Sequence, residues 1–154
     1  MALAGFHAAV MESLASLLAL VLTAVALMPA AAHVLELPNK LPLAREAYLT
    51  VQQIYRGWNR AGFVVIAAIV ATLWFAVVAD ESAEIPATLA FVAILMTQVV
   101  FWVYTYPVNR RTNNWTEAPE DWEQLRDRWE ISHAASALLT FAAFVFIAVA
   151  ILRS

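Results

Sequence analysis

The chain has 154 residues, of which 63% are hydrophobic and 14% are charged, with a net charge of −3 and a mean hydropathy of +0.71. This balance excludes an ordinary soluble domain and predicts one small integral membrane domain, residues 1–154. Because the chain has no cysteine, disulfides, thiolate metal sites and iron–sulfur clusters are excluded. The chain has no basic tail, so we expect no nucleic-acid partner.

Four apolar runs divide the sequence, and each is close to the ~20 residues with which an α-helix crosses a bilayer. They lie at about 14–36, 60–79, 86–106 and 131–152. The first run resembles a signal peptide in its small residues after Met28, but no Lys or Arg precedes it and Glu12 lies at its start, which favours an uncleaved span. The runs predict an all-α, integral membrane four-helix bundle with up-down-up-down topology.

Positive charge is distributed unevenly between the two sides of this bundle. Eight of the nine Lys and Arg residues lie in the connections 36–60 and 107–130, which an even number of spans places on one side. The positive-inside rule makes that side cytoplasmic and both termini external, as in a bacterial inner membrane.

Proline residues mark the end of the first span. Pro29 removes one backbone donor from the helix and is expected to kink it. The helix is expected to resume and to end at Glu36, because Pro38 and Pro42 follow in quick succession.

Two amphipathic segments adjoin spans 2 and 4 on the cytoplasmic side. Aromatic and apolar side chains recur every three or four residues in 44–59 and again after Pro119. We therefore predict two long helices, 44–78 and 119–152, whose first parts, 44–59 and 119–130, extend beyond the membrane on the side opposite the termini. Their aromatic stripes could simply pack against each other.

Two His/Glu pairs lie at the same end of the predicted bundle. His33 and Glu36 are three residues apart, as are Glu130 and His133. A Glu-x-x-His pattern on inward-facing helices is typical of di-metal bundles, but spans 2 and 3 offer no carboxylate. The sequence requires no cofactor, and it leaves open a single metal held by this set or a haem held by the two histidines.

Simpler roles exist for the same residues. Glu130 could form an exposed helix ion pair with Arg126, four residues earlier. His33 could be hydrogen-bonded to a neighbour within its apolar run, and Glu36 could lie in interfacial water. These alternatives predict a structural role for the set instead of a site.

Span 3 carries a polar and aromatic face formed by Gln98, Trp102, Thr105 and Asn109, which we expect to point into the bundle. Most tryptophans also lie toward this end, which predicts an aromatic-lined cavity of the kind that binds small apolar ligands. The candidate substrate-binding residues are Tyr55, Trp58, Gln98, Trp102 and Trp129.

Short motifs are spread over much of the chain. Among them are a Pro-x-Asn after span 3 and a Trp-x-x-x-His that leads into span 4. Their residues are Tyr106, Pro107, Val108, Asn109, Trp115, Trp122, Leu125, Arg126, Trp129 and His133, together with His33, Glu36 and Pro38 after span 1. The pattern resembles the anthrone-oxygenase-like family, small four-span membrane proteins long catalogued as a domain of unknown function. The resemblance implies a catalytic site made of His33, Glu36, Asn109 and His133. Family members named for anthrone oxidation act on polycyclic aromatic substrates without a known cofactor, but the resemblance does not imply that this chain oxidises an anthrone.

Two functions follow as hypotheses. In the first, the protein is a membrane oxidoreductase or oxygenase for a flat apolar molecule, such as an aromatic polyketide or a quinone. His33 or His133 would be the general base, Glu36 would orient it, and Asn109 would hydrogen-bond the developing oxyanion. In the second, the protein is a non-catalytic binding or scaffold subunit in the lipid bilayer, with a homo-oligomer or a protein partner left open.

Overall fold

The computed structural model describes residues 2–154, and these residues form helices and turns without a β-strand. The all-α prediction is confirmed. Six α-helices follow one another along the chain: α1 (Ala2–Lys40), α2 (Arg45–Gln52), α3 (Ala61–Val78), α4 (Glu84–Val100), α5 (Tyr106–Arg111) and α6 (Trp122–Ile151). Short 3-10 turns occupy Gln53–Tyr55 and Trp58–Arg60, and a π-helix, Phe101–Thr105, joins α4 to α5.

Four helical stretches among the described residues are long and apolar enough to cross a membrane. They are Gly5–Lys40, Trp58–Val78, Glu84–Arg111 and Trp122–Ile151. Each has at least 21 residues, enough for the ~20 with which a helix crosses the hydrocarbon core. These helices therefore support the prediction that the chain is an integral membrane protein in contact with the lipid bilayer.

Small residues form most of the helix interfaces. Helix α1 contacts α3 and α6, and α4 also contacts α3 and α6. Ala15, Ala19 and Ala87 are fully buried around the larger side chains of Phe75 and Ile147. Alanine lets helix backbones approach closely, and in lipid such packing contributes much of the association energy.

The first helix is longer than its proline residues suggested. Helix α1 continues through Pro29 and Pro38 and ends at Lys40, so the prediction that it ends at Glu36 is wrong. A proline removes one hydrogen bond from the preceding turn, and the chain here tolerates that loss. The helix ends just before Leu41, the residue that precedes Pro42 and is disfavoured in helical conformation for that reason.

The segment 44–78 is not one helix, contrary to the prediction. Helix α2 ends at Gln52, and the chain turns before α3 begins at Ala61. Gly57 lies in this turn with φ of 88°, a left-handed conformation that glycine adopts without steric cost. Gly57 is thus the breaker. The turn brings Tyr55 and Trp58 back against α1 and α6.

The π-helix changes the face that span 3 presents. Pro107 has no N–H, so the carbonyl of Val103, four residues earlier, cannot receive the usual α-helical bond from it. That carbonyl accepts a hydrogen bond from Arg128 Nη2 of α6 instead, at 2.7 Å. The wider π turn shifts the register, and Trp102 is 59% exposed. Its predicted position inside the bundle is wrong.

Helix α6 begins three residues after the expected start at Pro119. Residues 119–121 form a turn in which the Trp122 N–H donates to the Pro119 carbonyl at 3.0 Å. Arg45 of α2 also donates to the carbonyl of Ala118. The start of α6 is thereby tied to α2.

Asp80 caps the connection between α3 and α4. One of its carboxylate oxygens, Oδ1, accepts bonds from the Ser82 hydroxyl at 2.8 Å and from the backbone N–H groups of Ser82 and Ala83 at 3.0 and 2.9 Å. The Ser82 hydroxyl, followed by the Ala83 N–H, lowers the pKa of Asp80 below its ordinary 3.8. The carboxylate form is thus the one that stabilises the fold.

Replacing Asp80 by Ala is expected to lower the melting temperature in detergent at neutral pH. Because the folded-state pKa is the lower one, the contribution of Asp80 is complete above pH 3.8 and disappears as the pH falls through the folded value. The melting temperatures of the two proteins should therefore differ at neutral pH and converge at acidic pH. The exposed neighbour Glu81 is the control. Equal losses in Glu81→Ala and Asp80→Ala would contradict the cap.

Candidate functional site

Two histidines from opposite ends of the sequence stack on each other at one end of the bundle. The imidazole of His33 on α1 lies 4.2 Å from that of His133 on α6, centroid to centroid, with an interplanar angle of 24°. His33 is 6% exposed. Each histidine lies in an apolar stretch of its helix, so the contact between α1 and α6 brings the two rings together.

Three aromatic rings surround the stacked pair. His33 lies 4.6 Å from the ring of Tyr55, 5.1 Å from Trp129 and 5.9 Å from Trp58. Trp129 also contacts His133, at 4.1 Å. We call these five residues the histidine cluster. Three of the five residues predicted to bind a substrate therefore lie together beside the two predicted catalytic histidines.

Both imidazoles keep one ring nitrogen without a hydrogen-bond partner. His33 Nδ1 and His133 Nε2 are buried, yet no described residue bonds to either atom. The same is true of Glu130 Oε2, one turn before His133. Buried polar atoms are usually paired, and each exception costs about 1–3 kcal/mol. With the buried Nε1 of Trp115, four such atoms lie at this end of the bundle.

A buried ion pair lies beside the histidine cluster. Lys40 Nζ is 2.9 Å from Glu130 Oε1, and both side chains are almost fully buried, with exposures of 4% and 0%. The Tyr48 hydroxyl donates to the same carboxylate oxygen at 2.9 Å, and Gln52 Nε2 lies 3.5 Å from it. The Lys40 ammonium also lies over the rings of Tyr55 and Trp129, at 4.7 and 5.2 Å. This arrangement links α1, α2 and α6.

Tyr55 connects the ion pair to Glu36. Lys40 Nζ donates to the Tyr55 hydroxyl at 2.9 Å, and that hydroxyl donates to Glu36 Oε2. Burial, followed by the hydrogen bond to Glu36, raises the pKa of Tyr55 above its ordinary 10. Burial and the nearby Glu130 likewise raise the pKa of Tyr48. Both phenols are therefore protonated and able to donate. Lys40, Glu36, Glu130, Tyr48, Tyr55 and Gln52 form what we call the Lys40 network.

Glu36 has a different role from the predicted one. Among the described residues it forms no hydrogen bond with His33, and its carboxylate binds Tyr55 instead. Since the Tyr55 ring contacts His33 at 4.6 Å, Glu36 can act on the orientation of His33 only through Tyr55.

Asn109 reaches the histidine cluster through one tryptophan. Its Oδ1 accepts a hydrogen bond from Trp129 Nε1 at 2.8 Å, and Trp129 contacts both imidazoles. Its amide nitrogen is not used in any hydrogen bond among the described residues. Asn109 therefore positions Trp129 and keeps one donor group free.

Two predicted binding residues lie away from the cluster. Trp102 packs against Phe101 and Tyr106 on the outer surface, at 5.2 and 5.0 Å. Gln98 is half-buried on α4. Thr105, from the same predicted face, does point inward and shares a hydrogen bond of 2.8 Å with Ser132 of α6. The face predicted for span 3 is thus divided between the two sides of the helix.

Lys40 and Tyr48 are site residues that the sequence pattern does not reveal. Lys40 is one of the positive charges of the connection 36–60, and Tyr48 is one of the aromatic residues that recur in 44–59. The alternative that Glu130 forms an exposed pair with Arg126 is wrong, because Glu130 is 1% exposed and Arg126 pairs with Asp127. One available signal was the i,i+4 spacing of Glu36 and Lys40.

An aromatic residue of α2 packs against two tryptophans near the start of α6. The Tyr48 ring lies 5.0 Å from Trp115 and 6.0 Å from Trp122. Trp115 is 2% exposed although it has a φ of 61° and follows two asparagines that also have positive φ. A left-handed Trp costs roughly 1–3 kcal/mol, so burial of its indole must offset that strain.

An open groove of about 370 Å³ lies beside the Lys40 network. Its lining residues are Glu36, Asn39, Lys40, Leu43, Val51 and Ile54. The Glu36 side chain is 35% exposed, whereas that of Lys40 is 4% exposed. The groove is therefore the place where the network meets its surroundings.

The positions of the candidate ligand side chains test whether this site could hold a metal ion or a haem. No three His, Asp or Glu side chains among the described residues are arranged to hold a metal ion. The imidazoles of His33 and His133 lie face to face, whereas two axial ligands of one haem point their nitrogens at each other across the iron. This arrangement fits neither group without a rearrangement of the rings, and we assign no metal or haem to it.

Comparisons with known proteins found no matching family model, no similar curated protein and no similar solved structure.

Proposed function

We propose that this protein binds a flat apolar molecule at the histidine cluster and oxidises it, with His33 or His133 as the general base. The observation that carries the proposal is the pair of buried imidazole nitrogens without partners, His33 Nδ1 and His133 Nε2. A neutral imidazole nitrogen can accept a proton from a ligand that lies within hydrogen-bond reach. Membership of the anthrone-oxygenase-like family is part of the proposal and rests on the sequence pattern.

The proposed chemistry starts with removal of a proton from carbon. The C–H bond breaks, the proton goes to the imidazole, and the electron pair stays on a carbon next to an aromatic carbonyl, where resonance stabilises it. Dioxygen then forms a C–O bond with this carbanion, and the resulting peroxide takes the proton back from the imidazolium and loses water to leave a new carbonyl. In the proposal, the charge that develops on the ligand oxygen is stabilised by a hydrogen bond from the free amide nitrogen of Asn109.

The surroundings of the imidazoles suit a flat ligand. Tyr55, Trp58 and Trp129 offer ring faces and edges to an aromatic molecule, and offset stacking of such rings is favourable. A molecule that dissolves in lipid could reach this end of the bundle from the bilayer. We place the site on the cytoplasmic side, because the positively charged connections lie there.

Replacing His133 by Ala is expected to reduce oxidation of anthrone by about 10²–10⁴-fold, the range for loss of a general base. The measurement uses the full chain in lipid nanodiscs and follows anthraquinone absorbance in air, with tryptophan fluorescence quenching as the binding readout. His7→Ala is the matched control, because His7 is exposed and its ring contacts Phe6.

Three results have distinct meanings. Unchanged turnover and quenching in folded His133→Ala would overturn the site. Loss of activity in both His→Ala variants would point to a general effect of substitution. Loss of folding in His133→Ala, without activity in the unsubstituted chain, would favour the scaffold.

A non-catalytic scaffold is the second candidate, and the Lys40 network favours it. The pair Lys40–Glu130 with Tyr48 ties α1, α2 and α6 together, which a protein that only holds its helices in register would also need. Buried ionic groups can fix one arrangement of helices. In that case the histidine cluster would serve packing, with no ligand.

A further inference from the structure

We propose that Tyr55 and Glu36 form a proton path between the buried Lys40 ammonium and the groove. The inference goes beyond the proposed function, because the path needs neither a ligand nor turnover. Lys40, Tyr55 and Glu36 stand outside the acid–base step itself, so the path adds a second task to this end of the bundle.

The hydrogen bonds run in one direction. Lys40 Nζ donates to the Tyr55 hydroxyl at 2.9 Å, and the Tyr55 hydroxyl donates to the Glu36 carboxylate. The direct distance from Lys40 Nζ to Glu36 Oε2 is 3.7 Å, which is beyond a hydrogen bond. The Tyr55 hydroxyl is therefore the bridge between the two charged groups.

Burial decreases along this path. The Lys40 side chain is 4% exposed, and the Glu36 side chain is 35% exposed in the wall of the groove. Protons at Glu36 can exchange with water, whereas those on Lys40 have no comparable exposure. A chain of hydrogen bonds that joins a buried group to an exposed one is the geometry that proton transfer requires.

The transfer balances without any further reactant. An N–H bond of Lys40 breaks as a new O–H bond forms on Tyr55, whose original proton moves to Glu36 and is then released to water. Lys40 is left as an amine until the path returns a proton to it. A proton taken up from water at Glu36 returns through Tyr55 to Lys40, which restores the starting charges.

Charge around Lys40 supports this exchange. Its ammonium faces two carboxylates, Glu36 of α1 and Glu130 of α6. The other titratable groups that face it are Tyr48 and Tyr55, which bind those carboxylates, and the stacked histidines. With two acids and one base, the set can hold one more proton without acquiring a net positive charge.

Lys40 is the single lysine in the sequence, which makes the test direct. Lysine labelled with ¹⁵N gives one side-chain ammonium signal for the full chain in nanodiscs, and no substrate is needed. Tyr55→Phe keeps the ring and removes the bridge. We expect it to slow exchange of the Lys40 ammonium protons with water by about tenfold, a change comparable to loss of one hydrogen bond to a charged donor.

Tyr48→Phe is the matched control, because its hydroxyl binds Glu130 on the other side of Lys40. We expect its exchange rate to equal that of the unsubstituted chain. Glu36→Gln is a second variant, since an amide cannot take up the proton, and it should also slow exchange. It decides the matter if Tyr55→Phe fails to fold.

Unchanged or faster exchange in folded Tyr55→Phe or Glu36→Gln would overturn the path. Equal slowing by Tyr48→Phe would do the same, because any lost hydroxyl would then suffice. The exchange rate is measured without a ligand, and anthrone oxidation is measured without the label. Failure of the path is thus distinguishable from failure of the proposed function.

Discussion

Replacing Lys40 by Met is expected to lower the free energy of unfolding by about 3–5 kcal/mol, the cost of leaving a buried charge without its partner. Lys40 is 3% exposed and Glu130 is 1% exposed, and their charged atoms are 2.9 Å apart. Methionine retains the apolar part of the side chain, so the loss falls mainly on the ion pair. Unfolding of the full chain in detergent, followed by circular dichroism, measures the change.

A surface ion pair offers the matched control. Arg111 and Asp121 are also 2.9 Å apart, but their side chains are 55% and 36% exposed. We expect Arg111→Met to cost about 0–1 kcal/mol, as exposed pairs do. The double variant Lys40→Met with Glu130→Gln should recover part of the loss, because the remaining buried group is then neutral. Equal costs at the two pairs would contradict a desolvated Lys40 network.

The contact between His33 and His133 could be predicted from their positions within the apolar runs. Both histidines lie at the same end of apolar runs, and each run must present its polar side chains to other helices and not to lipid. Hydropathy therefore supplied the four apolar helices and the position of the histidine cluster. The hydropathy pattern does not predict the angle between the two imidazole rings, because that angle depends on how closely the alanine-rich helices approach one another.

Lys40 was harder to place from the sequence. A lysine after an apolar run is most often interfacial, and Pro38 argued that the helix had already ended. The continuation of α1 through Pro38 places Lys40 four residues beyond Glu36 on the same helix, toward α6. The partner that makes its burial tolerable, Glu130, is 90 residues away. Pairings at that separation leave no periodic signal along the chain.

Backbone irregularities account for the remaining differences. Gly57 turns the chain so that Tyr55 meets Glu36, and the π-helix before Pro107 turns Trp102 outward. The π-helix shifts the register of the side chains that follow it, whereas Gly57 lies in a turn that interrupts the helical pattern. Periodicity alone assumes a constant register, and it therefore grouped Trp102 with Asn109.

Trp129 connects the histidine cluster, on which the catalytic proposal rests, with the Lys40 network, on which the scaffold proposal rests. The Trp129 ring contacts both imidazoles, lies near the Lys40 ammonium and donates to Asn109. A ligand that displaces either imidazole must also move Trp129, and with it the packing of the Lys40 network. In the proposed function, binding of a ligand at the histidine cluster would therefore be coupled to the helix contacts around Lys40.

The second large effect is expected at Phe75, the fully buried aromatic residue of α3. Its ring packs among small residues of α1 and α4, including Ala15, Ala19 and Ala87. Phe75→Ala should lower the free energy of unfolding by about 3 kcal/mol, the lower end of the range for deletion of a core phenylalanine. The lower end applies because lipid provides little hydrophobic driving force between helices, so the loss is mostly one of packing.

Phe63 on the same helix is the matched control, with 79% of its surface exposed. Phe63→Ala removes the same atoms from a position that faces away from the other helices, so its free energy of unfolding should change by no more than about 0.5 kcal/mol. Both variants are measured in one detergent by the same denaturation. If Phe63→Ala were as costly as Phe75→Ala, the outer face of α3 would be covered by another helix or a second copy. If neither were costly, the alanine-rich helices would close around the vacated space, and Phe75 would not determine their spacing.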